Sequence, residues 1–231
     1  MKILHSTALV TGANRGLGLA FAKALLAGGA SKVYAAARDP ASITQPGVQA
    51  IRLDVTNAAE VAAAARELGD VTLLVNNAGI ARGTGFLSPD GLEAQRVELE
   101  TNFFGPLAMT RAFAPTLARN GGGAIINVLS ALSWVSFPDF ATYCASKSAA
   151  WSLSNGLRHE LRGQGTQVLA LHVGYMDTDM ARDITAPKSK PDDVARQTLA
   201  ALEADKKEIL ADEVSRNVKQ GLSAEPGVYL G

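Results

Sequence analysis

TGANRGLG, residues 11–18, follows the apolar run STALV at 6–10. Three glycines, Gly12, Gly16 and Gly18, within seven residues weaken a plain helix or strand, so another demand keeps them there. Between a strand and a helix, such bareness lets the backbone approach a pyrophosphate and sets the helix N-terminus against the anion. The spacing is GxxxGxG rather than GxGxxG, and a tight turn with no ligand is the competing reading of the glycines alone. The next β-rich run ends YAAARDP (34–40). Where an NAD-dependent chain places an Asp or Glu for the ribose 2′-hydroxyl, this one has Ala37, and Arg38 follows. An acid there repels a 2′-phosphate, whereas an arginine grips one with paired hydrogen bonds. Arg15, inside the glycine turn, reaches the same phosphate. Together Arg15 and Arg38 point to NADP(H); singly, each reads as well as a solvated surface charge.

Outward from this turn, short apolar runs alternate with longer segments of helical period. The strands are expected in TALVTG (7–12), KVYAAAR (32–38), VQAIRLDV (48–55), TLLVNNAG (72–79), GAIINVLS (123–130), QVLALHVG (167–174) and KEILA (207–211). Helices are expected over 17–27, 58–68, 91–118, 142–162 and 191–204. Strands apolar on both faces, alternating with helices, predict an α/β chain: a single-domain Rossmann fold, with a doubly wound seven-stranded parallel sheet and helices on both faces. A length of 231 residues suits one such domain over 1–231. Residues 174–190 carry no clear period and read as a lid-like substrate loop.

Composition narrows the function. Formal net charge is zero and no basic stripe exists, which argues against nucleic acid or an anionic membrane as partner. No apolar run suits a signal peptide or a membrane span, and the one cysteine, Cys144, forms no internal disulfide. A cytoplasmic location is expected. His5, His159 and His172 have no metal-like spacing, so no metal is expected.

The second informative stretch is LSALSWVSFPDFATYCASKSAA (129–150). Tyr143 and Lys147 are four residues apart, which places both on one helix face. A cation beside a phenol favours the phenolate and makes Tyr143 a proton donor and acceptor. Ser130 ends the preceding strand, at the carboxyl edge where parallel sheets bind ligands. A lone YxxxK ordinarily marks a helix surface; the strand-end serine and the glycine turn lift this one above that.

With these residues in hand, the chain resembles the short-chain dehydrogenase/reductase family, of the NADPH-dependent carbonyl reductase kind. It carries TGANRGLG, NNAG at 76–79, Asn102 in ETNFFGP, Ser130 and YCASK at 143–147, in the family's order and spacing. The resemblance implies that Tyr143 is the general acid and base, that Lys147 binds the nicotinamide ribose, and that Ser130 hydrogen-bonds the substrate oxygen. Asn102 would hold a relay water; a polar residue kinking a helix is compatible with that. Gly12, Asn14, Arg15, Gly16, Leu17, Gly18, Arg38, Asp54, Val55, Asn76, Ala78, Gly79, Gly174 and Thr178 would line the cofactor, with Asp54 at the adenine or else a simple loop acid. Val173 stands where the family usually has proline, which puts the rigidity of that turn in question. Ser133 is the rival for the serine role.

On the substrate side, Trp134, Phe137, Phe140, Tyr175, Met176 and Met180 suggest an apolar pocket, and packing is the plainer use of each. Arg182 is the one cation in reach of it and reads as solvated. The expected activity is hydride transfer between NADP(H) and a small-molecule ketone, aldehyde or secondary alcohol with apolar substituents. A non-catalytic dinucleotide-binding sensor and an NAD-dependent alcohol dehydrogenase are the alternatives. Apolar residues Phe103, Phe104, Phe113 and Trp151, with the family's helix pairing, lead us to expect a homodimer, with a tetramer as the larger option.

Overall fold

A computed structural model describes residues 1–230. The strands are β1 (Thr7–Thr11), β2 (Lys32–Ala37), β3 (Gln49–Arg52), β4 (Leu73–Asn76), β5 (Ala124–Val128), β6 (Gln167–His172) and β7 (Glu208–Leu210). They form one 7-stranded sheet in the order β3-β2-β1-β4-β5-β6-β7, every pair parallel. The order reverses direction at β1, between β2 and β4, and a doubly wound sheet opens its ligand crevice at such a switch.

The helices are α1 (Gly16–Ala27), α2 (Ala58–Glu67), α3 (Gly91–Leu99), α4 (Gly105–Arg119), α5 (Ala141–Glu160), α6 (Pro191–Glu203) and α7 (Glu213–Gly221). Strand alternation divides the core into two layers. Ala8, Val10, Leu73, Val75, Ile126 and Leu171 face Leu17, Phe21 and Leu25 of α1 and Val194, Leu199 and Leu202 of α6. Leu9, Leu74, Ile125 and Val168 face Val61 of α2, Met109, Phe113 and Leu117 of α4, and Leu157 of α5. The inner strands β1, β2, β4, β5 and β6 are covered on both sides and are largely apolar rather than alternating, whereas the edge strand β3 is mostly exposed.

Two expectations change. The helix expected over 91–118 is broken: Glu100–Phe104 form a π-turn between α3 and α4, with Asn102 buried inside it. Such one-turn bulges occur frequently at functional sites. The tail holds a helix that its sequence did not suggest. Asp212 starts α7 by accepting from Ser215 N (2.8 Å), while Ser215 Oγ accepts from Asp212 N (3.3 Å). Among the described residues, no helix is long and apolar enough to cross a membrane.

The glycine turn is set by close approach. Gly12 and Gly16 adopt left-handed φ of 64° and 54°. At Gly18 α1 passes so near β1 that a Cβ would be driven into the Gly12 carbonyl and would lie 2.6 Å from Asn77 Nδ2. Backbone cannot yield there as a side chain can. Gly18→Ala is expected to lower the unfolding free energy by about 3 kcal/mol, read by urea denaturation. An unchanged midpoint would contradict the packing described for α1.

Candidate active site

The carboxyl ends of β1, β4, β5 and β6 bring part of the expected set together. At β1, Thr11 Oγ1 accepts from Asn77 N and Ala78 N (both 3.0 Å), and Asn77 Nδ2 donates to Thr11 O (2.9 Å) and Gly12 O (3.1 Å). The glycine turn is therefore fastened to the segment after β4. The first turn of α1 contains no acidic residue, and among the described residues no side chain caps its N-terminus at Arg15. Its free N–H groups and dipole favour an anion there. By contrast, α2 is capped by Asn57 Oδ1, which accepts from Ala59 N (3.0 Å) and Glu60 N (3.2 Å).

Arg38 is exposed just past β2, beside buried Ala37. Arg15 donates to Asp179 Oδ2 (3.1 Å), and Arg182 donates to Asp179 Oδ1 (2.7 Å), so a surface ion pair ties the turn to the loop 174–190. Both chains are largely solvated, and such pairs are worth about 0–1 kcal/mol. Thr178 also reaches the turn: a Cβ at Gly16 would lie 3.3 Å from its Cγ2. The base of the loop is zipped, with Asp177 N donating to Ser189 O (3.0 Å) and Ser189 N to Tyr175 O (2.8 Å).

The chemistry-bearing residues meet around α5. Lys147 is buried and donates from Nζ to Val128 O (2.9 Å). Its ammonium stands 5.7 Å from the centroid of the Tyr143 ring. Asn102 grips the loop after β4 by accepting from Ile80 N (2.9 Å) and donating to Ile80 O (2.9 Å), and it donates also to Ser146 Oγ of α5 (2.9 Å). Gly79 lies between them; a Cβ there would come within 3.1 Å of Asn102 Oδ1 and 3.6 Å of Lys147 Nζ.

The two candidate serines occupy different places. Ser130 Oγ accepts from Leu132 N (3.1 Å) and lies close enough to Tyr143 to favour its ionised form. Ser133 is buried beneath it, with Oγ accepting from Ser130 N (3.3 Å). Ser133 shapes the turn and Ser130 faces the tyrosine.

The electrostatics differ from the expectation that Lys147 lowers the Tyr143 pKa. Burial is the largest influence on Tyr143 and pushes it above the ordinary phenol value; Ser130 opposes this, and the charge of Glu98 adds to it. Tyr143 keeps partial surface exposure, which tempers the shift. Burial also pushes Lys147 down to about 8. Away from bound ligand charge, a protonated phenol beside a readily neutralised amine is the favoured pairing.

Several residues stand elsewhere than expected. Asn76 turns away from the crevice, donating to Asn127 Oδ1 (2.9 Å), whose Nδ2 donates to Ser154 Oγ (2.9 Å). Its neighbour Asn77 holds the turn instead. Asp54 accepts from Thr56 N (2.9 Å) and Oγ1 (2.8 Å), a loop-closing use. Trp134, expected in the pocket wall, stacks on His172 with centroids 3.8 Å apart. Met176 packs against the α1–α6 core layer. Phe137 and Met180 are exposed. The Val173 turn is held by the next residue: Gly174 N donates to Asp212 Oδ2 (2.6 Å).

Two functional candidates escaped the sequence reading. Asp212 joins the loop base to α7. Glu98 is fully buried and accepts from Arg82 N (2.7 Å), fixing the segment after Gly79. Its only signal was a charge four residues from buried Ala94 on the inner helix face. Among the described residues, no group of three or more His, Cys, Asp or Glu could hold a metal ion.

Residues 6–189 match the family model described as short chain dehydrogenase. Dehydrogenase/reductase SDR family member 7B of Bos taurus is 29% identical over 260 residues, 98% of this chain and 80% of that protein. Galactitol 2-dehydrogenase (L-tagatose-forming) of Cereibacter sphaeroides is 39% identical over 184 residues, 75% of this chain and 72% of that protein. A short chain dehydrogenase from Burkholderia cenocepacia J2315, crystallised in complex with NADP, superposes with TM-score 0.94 at 42% identity, covering 98% of this chain and 96% of that one. A short chain dehydrogenase/reductase from Burkholderia phymatum in complex with NAD gives 0.86 at 26%, covering 96% and 94%.

Lys147 gives the site a pH signature in stability. Below about pH 8 it is charged in the folded and unfolded chain alike, and its burial penalty is complete. Above that, the folded lysine sheds its proton while the unfolded one holds it to its ordinary value of 10.5. The folded state therefore gains as pH rises through that window. Lys147→Met is expected to unfold at higher urea than the parent at pH 7, with the gap narrowing by pH 9.5. A gap that stays constant would mean that Lys147 titrates normally.

Proposed function

The chain belongs to the short-chain dehydrogenase family, and on that footing we propose that it is an NADP(H)-dependent oxidoreductase, a reductase of ketones or aldehydes with apolar substituents. The observation that carries this is the convergence of Ser130, Tyr143, Lys147 and Asn102 beside an uncapped helix N-terminus. The residues present fit the cofactor. Gly12 and Gly16 leave a side-chain-free approach to α1, and Ala37 with Arg38 leaves the end of β2 without an acid. Arg15 and Arg38 would hold the 2′-phosphate, and the B. cenocepacia relative crystallised with NADP supports that choice over NAD.

When bound, NADPH supplies the hydride. Tyr143 gives its proton to the carbonyl oxygen, and Ser130 Oγ donates a hydrogen bond to the same oxygen as charge develops there. Lys147 would hold the ribose hydroxyls. Asn102 keeps the loop after β4 and α5 in register. Because burial favours the protonated phenol, carbonyl reduction is served near neutrality, and alcohol oxidation needs higher pH. Residues 174–190 act as the lid, with Tyr175 and Met180 toward the substrate; Phe137 approaches from the loop after β5. We propose a homodimer in the cytoplasm, using the exposed Leu92 and Phe104 beside the π-turn.

Tyr143→Phe is expected to cut NADPH-dependent ketone reduction by about 10²–10⁴-fold while leaving NADPH affinity, read by nucleotide fluorescence, unchanged. Retained turnover would contradict the assigned acid. Full cofactor binding with no turnover on any ketone or aldehyde in the parent would favour a dinucleotide sensor. Arg15→Ala with Arg38→Ala is expected to weaken NADPH binding by about 10-fold or more while sparing NADH, since two charge-assisted contacts are lost. Parent protein that prefers NADH would overturn the cofactor choice. Light scattering giving a monomer would exclude the dimer.

A further inference from the structure

His172 is the last residue of β6 and has no solvent exposure. Its Nδ1 lies 3.1 Å from the carbonyl oxygen of Ser130. Its Nε2 makes no hydrogen bond among the described residues and faces Glu208 Oε1 of β7 at 3.5 Å. Lys219 of α7 spans that carboxylate, with Nζ 3.0 Å from Oε1 and 2.8 Å from Oε2. Trp134 lies flat on the imidazole at an interplanar angle of 15°, and the Lys219 ammonium sits 4.8 Å from the Trp134 ring. The stack runs from the C-terminal helix to the backbone of the active-site serine.

A neutral imidazole carries one ring proton. The contact distances favour it on Nδ1, donating to Ser130 O, with the Nε2 lone pair turned toward Glu208. That second contact is tolerable because Lys219 neutralises the carboxylate. Burial holds the His172 pKa down to about 4 against the pull of the Ser130 carbonyl and Glu208, and Lys219 and Lys147 act in the same direction as burial. The sheet holds the backbone on either side of Ser130, with Leu129 N donating to Leu171 O (2.7 Å) and Ala131 N to Val173 O (3.1 Å). Ser130 O belongs to the same peptide unit as Ala131 N, so His172 is the second hold on that peptide and fixes its carbonyl end, next to the carbon from which the Ser130 side chain departs.

We propose that His172 is a positioning residue for Ser130, kept in its donating form by the Glu208–Lys219 pair and the Trp134 stack, so that β7 and α7 set the geometry of the serine. The role rests on the reductase reading above, and it names a group that touches neither substrate nor cofactor.

The test is a double-mutant cycle on kcat for NADPH-dependent ketone reduction, with NADPH affinity measured alongside. His172→Leu is expected to lower kcat about tenfold at unchanged NADPH affinity, the scale of a misplaced catalytic group. His172→Asn, which offers an amide N–H near the Nδ1 position, is expected to restore most of the loss. In a Ser130→Ala background, His172→Leu is expected to change kcat by less than about twofold, because the group it positions is gone. Losses that multiply instead would overturn the proposal, since a general structural defect does not depend on the serine hydroxyl. Lys219→Met probes the stack without touching the core: the bared Glu208 carboxylate favours the proton on Nε2, the neutral ring loses its Nδ1 donor, and kcat is expected to fall severalfold, with no such fall on adding Lys219→Met to the His172→Asn protein. An unchanged kcat in Lys219→Met would also overturn it. Nitrogen NMR of the parent gives a readout that needs no turnover: an Nδ1–H tautomer supports the clamp and an Nε2–H tautomer overturns it. A parent with no turnover would overturn the reductase reading, and with it any catalytic use of His172, whichever tautomer is found.

Discussion

At Gly18 the first helix passes over the Gly12 carbonyl with no room for one side-chain carbon, and much of the crevice follows from that approach. It aims the start of α1 across the end of β1. It also leaves the carbonyls of Thr11 and Gly12 open to Asn77, whose amide nitrogen bonds both. Through Asn77 the segment after β4 is fastened, and through Asn102 and Ile80 that segment meets α5. Position at the active centre is thus passed from backbone to backbone across three strands, with short polar side chains as connectors. Such connectors have few rotamers to lose and hold geometry at small entropic cost.

Burial governs the charges of the same region. Tyr143 is held toward its neutral form, Lys147 toward its amine, and His172 toward neutral imidazole, each with desolvation as the largest cause. Near neutrality Tyr143 and His172 carry no charge and Lys147 is the one of the three that keeps its own, so an anionic ligand at α1 bears chiefly on Lys147. The low local polarity that makes an isolated charge costly also makes a bound one influential.

Much of this was legible in the sequence, for physical reasons. The inner strands could be read because they are largely apolar on both faces, and the edge strands β3 and β7 from short β-rich runs in the alternation with helices; Ser130, Tyr143 and Lys147 could be read because their spacing survives folding. The form of the break at Asn102 could not: a polar residue kinking a helix was legible, but only the hydrogen-bond ladder reveals the extra residue in Glu100–Phe104. Helix α7 is short and polar, and its one clue was the Asp212–Ser215 box. The pair at 76–77 turned on strand parity. Asn76 shares the inward parity of Leu74 and so faces α4, leaving Asn77 for the turn. Trp134 looked like a pocket residue because it sits on the active-site loop, and nothing local revealed that a histidine thirty-eight positions later would cover it.

The strand order has a consequence for how the molecule comes into being. β1 sits between β2 and β4, so as the chain is synthesised it gains one neighbour early and keeps an open edge until residue 73 arrives. Every later strand repeats this wait, because each parallel pairing needs a crossover before it can close. β7 comes last, carrying Glu208 to the outer side of His172, with Lys219 following on α7. A growing chain therefore builds its nucleotide turn first and finishes the surroundings of its serine last. During elongation there is an interval in which the protein has the outline of its cleft before the packing behind Ser130 is complete.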